Sequence, residues 1–350
     1  MIKPFLDDLE ARINAQEEQD LYGRWKEFYG GKTNGDIFTA KRKNKYPART
    51  VWPDIRINDA IRSNNYDKMI IRELKMASAA LEKGAGNFLC IRSNYGTGIL
   101  PSVFGADIFY LDDGADTLPT SKPVDGQDKI KAIIDHGIPR KTAGLMQKVF
   151  ECAEYYLEAI KSYPKIRKHV HYYHADFQGP MDVVELLWGS ALFLDICDSP
   201  GLVKQLLAVV TDSYIHFMKQ WNKIMPPVEK EYSVHWDMLI KGQVALRNDS
   251  AMNFSPEMYN EFIRPYDQKI FDALGGGIIH FCGRGSHYIE RMSRMNDLYA
   301  ITLSQPGLND METIYANTIE KNIRLIGFDR DTAREAQERG RKFNGKIHCW

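Results

Sequence analysis

Apolar and polar positions along the chain fall into three regimes. Residues 6–28 place apolar side chains three and four apart among Glu, Gln and Arg, the spacing of one amphipathic helix or two, read as an N-terminal cap. Residues 30–49 are polar, with Gly30-Gly31, Asn34-Gly35 and the basic run Lys41-Arg42-Lys43, and are expected to form an exposed connection with the run as a solvated face. From residue 68 onward short apolar runs alternate with helical patterns. The runs predicted as strands are 87–93, 107–111, 171–177, 232–240, 243–248, 277–282, 300–303, 324–328 and 346–349. Helices are predicted over 140–163, 182–193, 200–225, 256–273 and 331–343.

Sustained alternation of this kind predicts an α/β protein, a (β/α)8 TIM barrel over 68–350 preceded by an N-terminal helical extension over 1–67. The rival is an open, doubly wound sheet. It lacks support, because no Gly-x-Gly-x-x-Gly follows the first strand and no phosphate-binding Walker loop occurs.

Composition narrows the function classes. In 350 residues, 46 Lys and Arg balance 46 Asp and Glu, which leaves no net field to hold a polyanion and disfavours nucleic-acid binding. The N-terminus lacks a basic region followed by an apolar stretch, and no run of about 18 apolar residues occurs, so a cytoplasmic protein is expected. Five widely spread cysteines, an odd number in a chain able to bury a large core, read as reduced thiols, some of them candidate metal ligands.

The most informative segment runs from Gly275 to His287 and contains Ile279-His-Phe-Cys-Gly-Arg-Gly285. Side chains two apart share a strand face, so His280 and Cys282 point the same way at the C-terminal end of a strand, where barrel enzymes build their sites. An imidazole and a thiolate are half of a zinc site, which needs three or four ligands. Cys349, near the tip of the last strand, is the leading third ligand, with His348 facing away unless the register is shifted by one. The plainer reading of His-x-Cys is a packed thiol beside a hydrogen-bonded histidine.

Other strand ends carry polar tips. His174 and Asp176 share a face with Gln178 just beyond, which suits substrate binding or a tied-down loop. Asp249 closes another strand and is a candidate base or ligand. Asn94 and Tyr95 follow the first strand, in a loop whose glycines a turn requirement explains equally well.

Taken together, Asp176-Phe-Gln-Gly-Pro-Met-Asp-Val-Val-Glu-Leu-Leu-Trp188, Asp249-Ser250 with Ser255-Pro-Glu-Met-Tyr-Asn-Glu-Phe-Ile-Arg-Pro-Tyr266, and the His280 segment resemble the uroporphyrinogen decarboxylase superfamily over roughly residues 68–350. The resemblance implies the barrel and two kinds of enzyme, decarboxylases and zinc-dependent methyltransferases that exchange methyl groups with corrinoid proteins. True decarboxylases carry Met-Arg-Gln-Ala-Gly-Arg near the N-terminus and Phe-Ser-Asp-Ile at the first strand end, whose Asp binds the pyrrole nitrogens. Here that strand ends Ile91-Arg-Ser-Asn-Tyr95, without the carboxylate.

The methyltransferase branch is similar in its His-x-Cys with a distant Cys, which maps onto His280, Cys282 and Cys349. It departs in that Cys349 is the penultimate residue. The resemblance therefore implies a zinc site on those three residues and a corrinoid carried by a partner protein. Asp249 and Asp176 are then expected to be catalytic, and Asn94, Tyr95, His174, Gln178, Arg247 and Arg284 to bind a small substrate, a thiol, methyl ether or methylamine. The alternatives are a metal-independent decarboxylase or lyase acting on another carboxylated substrate, and a non-catalytic binding member.

Overall fold

A computed structural model describes residues 2–350 apart from Asn34, Asn64, Asp125 and Lys141. Asn34 of the expected connection and Lys141 of the helix expected over 140–163 lie outside the described residues. The parallel strands are β1 (Ile37–Phe38), β2 (Leu89–Ile91), β3 (Val170–Tyr172), β4 (Val244–Arg247), β5 (Gly277–Phe281), β6 (Leu298–Leu303), β7 (Arg324–Phe328) and β8 (Ile347–Cys349). Among the described residues, six of them form one sheet in the order β1-β8-β7-β6-β5-β4, and β2 pairs with β3.

Helices such as Gly144–Ala159, Pro180–Trp188 and Pro200–Ile224 separate the strands, and the arrangement is compatible with a TIM-barrel-like fold. Backbone hydrogen bonds continue between the two strips beyond the strands themselves, as where Gly179 N–H donates to Arg247 O at 2.9 Å.

Two predicted strands belong elsewhere. The run at 107–111 contributes Ile108–Phe109 to a short antiparallel ribbon with Thr120–Ser121, and the run at 232–240 is a hairpin, Tyr232–His235 against Met238–Lys241. A hairpin alternates apolar and polar positions as a single strand does, so the pattern cannot separate them when the turn is not Asn-Gly or Asp-Gly. The N-terminal stretch holds α1 (Lys3–Arg12) and α2 (Ala15–Tyr29), the second capped by the Asn14 side chain accepting from the N–H groups of Gln16 and Glu17.

The polar connection is less exposed than its composition suggests. It supplies β1 to the sheet, and Arg42, in the middle of the basic run, is buried with its guanidinium on both carboxylate oxygens of Glu18 at 2.7 Å. Of the basic run, Lys41 and Lys43 stay in solvent.

Alternation along the strands sorts side chains between two cores. On the outer face, Leu89, Ile91, Val244, Leu246, Ile279, Phe281, Ile301, Leu325, Ile347 and Cys349 pack with the surrounding helices. The inner face presents Phe38, Cys90, Ala245, Ile278, Ala300 and Ile326 to a second core. Two of those inner residues are alanines, which leaves room that strand side chains do not fill. The space is taken by Leu21, Trp25 and Phe28 of α2 and by Val234, Met238, Leu239 and Ile240 of the hairpin. Trp25 is fully buried with its ring 5.2 Å from Phe38 and 4.4 Å from His348, so α2 is part of the interior rather than a lid over it.

His174, His235 and His348 are buried here as neutral rings. Burial drives His174 and His348 down to about 3 and His235 well below its ordinary value. Their folded pKa values lie below the unfolded value near 6.5, so stability is complete above that pH and is lost as pH falls toward the folded values. Around pH 5 the three sites together predict a loss of about 4 kcal/mol per pH unit. The buried carboxyls of Asp182 and Asp267, which burial raises, act in the opposite sense over the same range, so the rings are tested directly. NMR of the imidazole nitrogens at pH 7, 6 and 5 is expected to show all three neutral throughout, and titration of any of them near pH 6.5 in the folded protein would contradict neutral burial.

Candidate metal centre and its cavity

At the C-terminal end of β5 the chain turns through Gly283, whose φ of 74° suits a residue without Cβ, leaving His280 and Cys282 side by side. Their reactive atoms, His280 Nε2 and Cys282 Sγ, are 3.4 Å apart. Asp249, in the loop after β4, reaches across. Its Oδ1 accepts the Cys282 backbone N–H at 2.8 Å and lies 3.9 Å from His280 Nε2. One ligand atom from each of the three falls within 4.8 Å of the others, and among the described residues no other set of His, Cys, Asp or Glu converges in this way.

Neighbouring strands hold the three in place. His280 Nδ1 is 2.6 Å from Thr302 Oγ1 of β6, and with that nitrogen donating to the hydroxyl, Nε2 is left as a lone-pair acceptor facing Cys282 and Asp249. Ser304, two residues beyond Thr302, puts its hydroxyl 3.5 Å from Cys282 Sγ and 3.4 Å from His280 Nε2. Asp182, in the first turn of the helix Pro180–Trp188, accepts the backbone N–H groups of Asp249 and Ser250 at 3.0 and 2.8 Å and so fixes the loop that carries Asp249. Burial, with the charge of Asp249 adding to it, raises the Asp182 carboxyl well above its usual range. Burial also lowers His280, which favours the neutral ring that a metal needs, and raises the Cys282 thiol.

The donor set fits zinc. Four-coordinate zinc with ligands at its usual bond lengths holds them roughly 3.3–3.8 Å apart, close to the 3.4 and 3.9 Å found here before any metal draws them in. One imidazole, one sulfur and one carboxylate are one donor fewer than four-coordinate zinc takes, and His280 and Asp249 line a cavity of about 730 Å³.

Asp176, Gln178, Arg247, Asp249 and His280 all line that cavity, together with Trp236, Thr302, Ser304 and Arg330. Asp176 pairs with Arg247 at 2.7 Å and with Arg92 at 3.6 Å, and the Gln178 amide donates to the same carboxylate. Arg247 is buried with its guanidinium 4.3 Å from the centre of the Trp236 ring, and its Nη2 has no hydrogen-bond partner among the described residues.

Four other expected residues stand elsewhere. His174 is buried with both ring nitrogens engaged, Nδ1 on Ala175 O at 2.9 Å and Nε2 accepting the Ala245 N–H at 3.2 Å, so it braces β4 rather than facing the cavity. The Asn94 amide donates to Glu73 at 3.3 Å beneath the site, and Tyr95 is packed in the outer core. Arg284 is exposed on the loop after β5, outside the cavity lining.

Cys349 also departs from expectation. It is not brought to His280 and Cys282, because on β8 it shares the outer face with Ile347, fully buried against the helices, where burial pushes its thiol up to about 12. His348 takes the inner face instead, its Nδ1 accepting the Gly327 N–H at 3.1 Å. The third group at the cluster is Asp249. Thr302, Ser304, Asp182, Trp236 and Arg330 are contributors that sequence reasoning did not single out. Thr302-x-Ser304 had a legible signal, since it repeats at the end of β6 the two-residue spacing of His280-x-Cys282.

No family model and no curated protein matches the chain. Among solved structures it is similar to a methyltransferase from Methanosarcina mazei, with a TM-score of 0.62 and 15% sequence identity over 94% of this chain and 92% of that one. At that identity the likeness is one of fold.

If Thr302 orients His280 for a metal, Thr302→Val lowers zinc affinity by about 10- to 100-fold while leaving the protein folded. Competition with a chromophoric chelator reads this directly, and an unchanged affinity would show that the hydrogen bond is incidental.

Proposed function

We propose that this chain is a zinc-dependent methyltransferase that moves a methyl group between a small substrate, a thiol, methyl ether or methylamine, and a corrinoid carried by a partner protein, and that its parallel strands close into a (β/α)8 barrel. The observation that carries the reading is the convergence of His280, Cys282 and Asp249 at the strand ends, with His280 and Asp249 lining an open cavity. The likeness to a methyltransferase over nearly the whole of both chains supports it. Zinc bound there supplies Lewis acidity, lowering the pKa of a thiol or helping a heteroatom leave.

The protein's own groups do the rest. His280, Cys282 and Asp249 hold the metal, with Thr302 and Asp182 fixing two of them. Asp249 in this role is a ligand rather than a free acid. Asp176 accepts from Arg247 and Gln178, and so orients the guanidinium that walls the cavity beside His280. The open cavity admits a corrinoid-bearing partner. A cytoplasmic setting belongs to the same proposal; no helix among the described residues is long and apolar enough to cross a membrane.

One observation favours a second reading. The unpartnered Arg247 Nη2 suits a substrate carboxylate, as a metal-independent carboxy-lyase would need. That reading leaves the His280, Cys282 and Asp249 cluster without a task.

Metal content separates the two. Elemental analysis is expected to find near-stoichiometric zinc in the wild type and in Cys349→Ser, and its loss in Cys282→Ser and His280→Ala, with methyl transfer to free cobalamin falling at least about 100-fold in the same two variants. A folded wild type that neither carries nor takes up zinc would transfer the assignment to the carboxy-lyase. Zinc lost in Cys349→Ser would overturn the ligand set.

A further inference from the structure

Trp236 stands at the tip of the interior hairpin, and both residues of its two-residue turn, Trp236 and Asp237, have positive φ, 46° and 60°. Turns of this hand are ordinarily filled by Asn-Gly, so an indole in one is held by its surroundings rather than by its own preference. Hydrogen bonds anchor the turn through Asp237. Its backbone carbonyl accepts the Phe88 N–H at 2.8 Å, and its carboxylate accepts the Cys90 thiol at 2.8 Å and the Asn87 amide at 3.3 Å.

These contacts set the indole between the Arg247 guanidinium, 4.3 Å from its ring centre, and the His280 ring, 5.2 Å away and steeply inclined to it. Arg247 and His280 are direct partners across β4 and β5, so the indole covers the inner side of both strands just beneath the cluster. Behind it come His235, fully buried with its ring 4.5 Å away, and the apolar hairpin itself. Trp236 lines the same cavity, so a molecule whose heteroatom reaches the cluster can lie against its indole.

We propose that Trp236 fixes the depth of the cavity, and with it the length of substrate accepted, and that Asp237 is the positioning residue that keeps it there. This rests on the reading of the cluster as a zinc site for a small heteroatom substrate. Each methylene buried on an apolar wall raises affinity about fourfold, and a chain that meets a fixed wall stops gaining.

The test is calorimetric titration of the zinc-loaded protein with straight-chain alkanethiols of increasing length. In the wild type the affinity is expected to climb and then level off or fall. In Trp236→Ala the climb continues at about fourfold per methylene for at least two further methylenes, and Trp236→Leu, which keeps more of the packing, shifts the limit by a smaller step. Asp237→Ala is expected to blur the limit as Trp236→Ala does, while Asp237→Asn, which can still accept from Cys90, restores it. The same length limit in wild type and Trp236→Ala would overturn this inference and leave the zinc site standing. No thiol binding by the zinc-loaded wild type would overturn both.

Discussion

Alternation of side chains along parallel strands is the constraint from which the rest of this molecule follows. A strand has two faces, and here one faces helices and the other faces an interior built from α2 and a hairpin. Whether a residue is inert or available to chemistry is decided by its parity on the strand. Ile279 and Phe281 are packed outward, and His280 and Cys282, interleaved with them, are delivered to the cluster, with His280 lining the cavity. The same rule turns Cys349 away from the site and His348 toward the interior.

The inner face is not filled by the strands' own side chains. Ala245 and Ala300 are too small to fill the space before them, and Trp25, Phe28 and the hairpin occupy it instead. Burying rings such as His174, His235 and His348 there as neutral groups links stability to pH. It also gives the cluster a firm floor, since Trp236, at the top of this packed column, is in contact range of both His280 and Arg247.

Much of this was legible because buried parallel strands are written as short continuous apolar runs. The predicted strands at 277–282, 300–303, 324–328 and 346–349 overlie β5 to β8. The pairing of His280 with Cys282 follows from a period of two and needs no tertiary knowledge. What stayed hidden has physical causes. A two-residue strand such as β1 carries no period at all, and the hairpin at 232–241 lacks the turn residues that announce one. On β8 the run Ile-His-Cys offers a plausible ligand on either face, so only the pairing with β7 and β1 fixes which one points inward. Asp249 was recognisable as a polar strand tip, but its convergence on Cys282 depends on the Asp182 contacts, which come from a helix 67 and 68 residues away in the chain.

The proposed chemistry requires one sulfur, one imidazole and one carboxylate on the same metal. X-ray absorption at the zinc edge of the purified protein tests it most directly, because sulfur near 2.3 Å is resolved from nitrogen and oxygen near 2.0 Å. One sulfur scatterer is expected, with nitrogen and oxygen completing the shell. A shell with two sulfurs would mean that Cys349 leaves its outward packing to reach the metal, and a shell with none would remove Cys282 from the site; either would contradict the ligand set on which the proposed chemistry rests.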